Sequence, residues 1–252
     1  MSALLVGPVV FVCLFGATLV GMALSRRLPG HHLDPDSKDV IKLATAVVGT
    51  LAALALALLI ASAKTTYENA NAELRTSMAR LVLLDRVMAR YGSDTNAARA
   101  RLRTLVETRL NNQAWGSDAS ATKAGGEEAS IEPVQAELRA LSPDTNAQRL
   151  LQSRALQVSG DIAEAHWLLT ETVGDGLPWA FLAVLVFWLG LLFVTFGLLA
   201  PTNATVIGLL FACALSVAAA VFLIVDMAHP YIGIIHVSDA PLRTALGQLG
   251  QK

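Results

Sequence analysis

Four stretches of this chain are apolar over a length that crosses the hydrocarbon core of a bilayer, which takes about 20 residues at 1.5 Å each. They cover residues 3–24, 40–63, 178–200 and 205–225. The first has no charged residue, and the second carries only Lys42 near its start, where a long side chain can snorkel to the headgroups. The third opens on Pro178 and Trp179, a helix-start proline beside an interfacial aromatic, and the fourth stops at Asp226. No run of alternating apolar and polar residues competes with these, so the pattern predicts helices.

The connections arrange the four spans as two hairpins. Spans three and four are joined by residues 201–205, too few for anything but an antiparallel pair. Residues 25–39 join spans one and two and carry Arg26, Arg27, His31, His32, Asp34, Asp36, Lys38 and Asp39. The remaining polar length, 64–177, predicts an extramembrane helical domain. From Tyr67 the apolar positions Leu74, Met78, Leu81, Val82 and Val87 recur at helical spacing. Gly92 suits a helix end, and Ser93 or Asp94 a new N-cap. Ala98, Leu102, Leu105, Val106 and Leu110 mark the next helix, residues 111–129 a flexible loop, and Pro133 to Leu141 a third helix. After the break at Ser142, Pro143 and Asp144, a fourth runs from Thr145 toward Leu169. Residues 227–252 remain as a C-terminal tail. The fold class expected is an all-α membrane protein.

Composition agrees with the pattern. Apolar residues make up 54% and charged residues 15%, against roughly a quarter charged in soluble domains. A net charge of -1 gives no reason to expect a nucleic-acid partner. Cys13 and Cys213 lie in apolar runs, where a disulfide has little to staple. The first run differs from a cleaved signal peptide: Arg26 and Arg27 follow it, and no basic residue precedes it.

Candidate chemistry narrows further. His31, His32, Asp34, Asp36 and Asp39 resemble a metal loop, but from Asp34 the fifth and sixth positions are Lys38 and Asp39, which fails the calcium template. The simpler reading makes Asp36 or Ser37 the cap of the second helix, with the histidines at headgroup level. Arg154, Glu164 and His166 could form a polar cluster, but such residues on an amphipathic helix usually make a solvated face. No nucleophile elbow, phosphate loop, zinc helix or dinucleotide fingerprint is present. The expectation is no enzyme, no metal and no cofactor.

Residues at the span ends carry a family resemblance. The second span runs into Tyr67 and Glu68, and the fourth ends in Asp226, His229, Pro230, Tyr231 and Gly233. Together with residues 28–33, 196–203 and 237–242, these stretches resemble the bestrophin-like family of bacteria, itself distantly similar to bestrophin ion channels. The resemblance implies a homopentameric ion channel in the bacterial inner membrane, contacting membrane lipid and passing small ions; bestrophins include anion channels and a cation-selective bacterial relative, so it carries over no ion sign. It also implies a pore lined by the second span and a cytoplasmic helical domain. The positive charges on the first loop, Arg26, Arg27, Lys38 and Lys42, favour the opposite orientation by the positive-inside rule. The fold resemblance is given the greater weight. Calcium-activated bestrophins carry an acidic cluster after the fourth span, whereas here only Asp239 follows.

On the second span, Ala46, Gly49, Thr50, Ala53, Ala57 and Ala61 form a small-residue stripe, with Lys42 and Lys64 near its ends. A stripe of this kind is either a helix-packing face or a pore lining, and packing is the commoner use. Aligned from Tyr67 and Glu68, the bulky neck of bestrophins falls on Ala46, Thr50 and Leu54, where only Leu54 keeps a bulky apolar side chain. Asp226, Pro230, Tyr231 and Gly233 are expected to form a structural belt after the fourth span. The alternative function is a non-conducting scaffold or sensor whose helical domain docks a partner.

Overall fold

The computed structural model describes residues 3–29, 34–111, 130–172, 179–230, 234–235 and 237–250. In chain order the helices are α1 (Ala3–Arg27), α2 (Pro35–Tyr91), a 3-10 turn (Ser93–Thr95), α3 (Asn96–Asn111), α4 (Glu132–Ala140), α5 (Asn146–Thr172), α6 (Trp179–Leu199), α7 (Ala204–Met227) and α8 (Ala240–Gln248). The all-α expectation holds. Four helices, α1, α2, α6 and α7, are long and apolar enough to cross a membrane. The expected loop at 111–129 falls almost wholly outside the described residues, as do His31, His32 and Pro178.

The chain forms two compact units. One comprises 1–67 with 176–235, and the other 68–175 with 236–252. The stretch read from sequence as a tail, 227–252, therefore divides between them. The second span and the first polar helix, expected as separate pieces, are one helix of 57 residues. Nothing between Ala63 and Tyr67 breaks it: Lys64 is a good helix former, and the Thr65 and Thr66 hydroxyls donate to the carbonyls of Ala61 and Ser62 at 2.9 and 3.1 Å. At 1.5 Å per residue it is about 85 Å long, of which only about 30 Å fits in hydrocarbon. It also starts earlier than expected. Pro35 occupies the first helical position, and the Lys38 N–H donates to Asp34 O at 2.9 Å, so neither Asp36 nor Ser37 is the cap.

In the first unit, glycine contacts fix the helix directions. A methyl on Gly21 would fall 2.9 Å from the Val194 carbonyl carbon and 3.0 Å from the Leu198 nitrogen. One on Gly197 would fall 3.0 Å from the Thr18 carbonyl carbon. The C-terminal halves of α1 and α6 thus touch backbone to backbone, and these helices are parallel. On α7 the order reverses: Gly7 faces Phe222, while Phe11 and Phe15 make edge contacts with Phe211 at 5.2 and 5.4 Å. The two short connections therefore share one end of the bundle. The start of α1, Tyr67 and the end of α7 lie at the other. Its core includes Val6, Val10, Leu14, Ala52, Leu59, Ala63, Leu185, Phe193, Ala214 and Val221.

In the second unit, α2 presents Leu74, Met78, Leu81, Leu84 and Met88 to the interior, joined by Leu102, Val106, Val134, Leu138 and Val158. Tyr91 ends the helix because Gly92 turns at φ 131°. The restart at 93–96 is not capped by Ser93 or Asp94. Thr95 instead closes the corner, its hydroxyl donating to Met88 O at 2.6 Å. Before α5, Thr145 and Gln148 make a reciprocal capping box: Gln148 Oε1 accepts from Thr145 N at 3.1 Å, and Gln148 N donates to Thr145 Oγ1 at 3.1 Å.

Candidate pore-lining helix and loop anchor

Along the membrane-crossing part of α2, burial follows one face. Ala52, Leu59 and Ala63 are buried in the bundle, with Val48, Ala55 and Leu56 half-buried beside them. Gly49 is half-buried, and a methyl there would meet Leu192 Cδ2 at 3.8 Å. The remaining candidates lie on the opposite side. Ala46, Thr50, Ala53, Leu54 and Ala57 are all exposed, Leu54 at 69%. Small side chains commonly mark where helices pack. Here that use is not made within the protomer, because the bundle takes the Ala52 side and leaves the stripe bare. The Thr50 hydroxyl donates to its own helix at Val47 O, 2.8 Å, which satisfies its proton without a neighbouring helix.

The end charges are placed differently. Lys42 is exposed and pairs with Asp39 at 2.9 Å, one turn back on the same helix. Lys64 is exposed and has a partner of its own.

After α7, Asp226 anchors the chain that follows. Asp226 is 1% exposed, and both its oxygens accept backbone hydrogen bonds: Ile234 N–H to Oδ1 at 2.9 Å and Ile235 N–H to Oδ2 at 2.7 Å. A buried carboxylate is tolerated only when so satisfied. The His229 Nδ1 proton goes to Val225 O at 2.9 Å, and Pro230 is buried. Tyr231 and Gly233 lie outside the described residues.

Sequence reasoning missed a second buried carboxylate. Asp85, 1% exposed, receives Arg99 in two bonds, Nε to Oδ1 at 2.8 Å and Nη2 to Oδ2 at 3.1 Å. The hydrogen bond to Asp85 holds the Arg99 guanidinium above even its ordinary high pKa. The Gly250 N–H adds a bond to Asp85 Oδ2 at 3.2 Å, while Leu242, Ala245 and Leu249 are buried. The signal available in sequence was the Asp85 position itself, an acid next to Leu84 on the apolar face. Arg154 and Glu164 are exposed on α5, in line with a solvated face, and Arg154 donates to Gln157 at 2.9 Å; the His166 side chain lies outside the described residues. Among the described residues no three metal-ligating side chains converge.

A family model for the Bestrophin-like domain matches residues 12–242. The chain belongs to the bestrophin-like family. Among solved structures, the fold is similar to a bacterial bestrophin homolog from Klebsiella pneumoniae, crystallised as a single-substitution variant. The TM-score is 0.65 at 12% identity, over 96% of this chain and 99% of that one. At that identity the likeness is one of fold. No curated protein matches the chain. The bestrophin-like resemblance carried by the span ends is thus upheld, and with it the four-helix membrane reading.

Proposed function

We propose that this bestrophin-like protein is an oligomeric ion channel, a pentamer by its fold relation, whose pore is lined by the exposed face of α2. The observation that supports this reading is the bare stripe of Ala46, Thr50, Ala53, Leu54 and Ala57, opposite the buried Ala52, Leu59 and Ala63. An exposed face on a spanning helix must meet lipid, another copy or water. A face of mostly small side chains with a hydroxyl suits a narrow aqueous path around a symmetry axis. Of the neck positions Ala46, Thr50 and Leu54 only Leu54 is bulky, so the constriction is wider than a neck of three bulky residues, and closure by dewetting is correspondingly weaker. Small ions permeate; the membrane is the bacterial inner membrane; the helical unit lies in the cytoplasm, on the side of the N-terminus.

The same alanines support a second reading, a non-conducting scaffold, because small residues let helices of neighbouring copies pack shut. Mass measurement in detergent and planar-bilayer recording separate the two. The channel reading expects a closed ring of copies and discrete single-channel steps. A monomer, or a silent ring across salts and pH, supports the scaffold.

A further inference from the structure

We draw no further inference here: the strongest candidate, the corner of the second unit where the buried Tyr91 hydroxyl lies near the exposed carboxylates of Asp94 and Asp144, carries nothing because both acids stand at helix starts, where acids are ordinary, and the covered hydroxyl leaves a ligand no contact with it.

Discussion

Gly21 of α1 lies against the backbone of Val194 of α6 so closely that a methyl group would sit 2.9 Å from the carbonyl carbon. Gly197 returns the contact against Thr18, whose side chain is fully buried and donates to Leu14 O at 3.2 Å. Lipid offers helices no hydrophobic reason to associate, so close backbone approach supplies the attraction. Gly21→Ala and Gly197→Ala should each force α1 and α6 apart, at a cost of about 1–3 kcal/mol. Gly16→Ala, with open space around it, should cost far less. Thermal denaturation in detergent, followed by size-exclusion chromatography, measures the difference.

Asp226 organises the exit from α7. Asp226→Ala removes the acceptors of two backbone N–H groups and should destabilise the protein by about 2–4 kcal/mol. Asp226→Asn keeps one acceptor but turns an NH2 toward the other N–H, and should fall between. Melting temperature is the readout, and equal values for the two variants would contradict the account.

The Asp85–Arg99 pair ties the C-terminal segment into the second unit. Asp85→Ala strands a half-buried guanidinium and should cost about 3–5 kcal/mol. Ending the chain after Gln248 removes the Gly250 N–H bond and the buried Leu249, and should lower the melting temperature less. Amide hydrogen exchange in α3 should rise in both, since α8 packs against α3.

Tyr91 makes a prediction in pH. Its hydroxyl is buried with no hydrogen-bond partner among the described residues, and burial, then the charges of Asp94 and Asp144, push the phenol above its ordinary value of 10.0. The folded state then holds its proton where the unfolded state has lost it. Stability should fall as pH rises above 10. Ultraviolet titration should show one of the three tyrosines ionising late, and Tyr91→Phe should abolish that phase and raise the melting temperature.

Cysteine scanning tests the facing of α2. The native Cys13 and Cys213 are both exposed and must first be replaced. Cysteines at Ala46, Thr50, Ala53 and Ala57 should react with a charged thiol reagent, and those at Ala52 and Ala63 should not. Uniform silence at the first set would place that face in lipid or in a closed helix contact.

The spans, their pairing and the family were legible in the sequence because they rest on local signals: run length, loop length, and span-end residues such as Asp226 and Pro230. The helix itself runs on past the expected end of span two, which no local signal announces. Hydropathy falls at Lys64, but a change in hydropathy does not break a helix, and Thr65 and Thr66 are bonded into it. Thr145 and Gln148 could be read as a start signal from their spacing alone.

The small-residue stripe with which the site began was visible as a pattern, yet its meaning was not. Sequence determined that α2 has a face of alanines, because helical spacing is an arithmetic property of the chain. Only the tertiary structure decided that the bundle buries Ala52, Leu59 and Ala63 and leaves Ala46, Thr50 and Ala57 exposed, since that depends on where α6 and α7 pack. The same holds for Asp85 and Gly250, 165 residues apart: a buried charge must find partners, but nothing local names a backbone N–H near the far end of the chain as one of them.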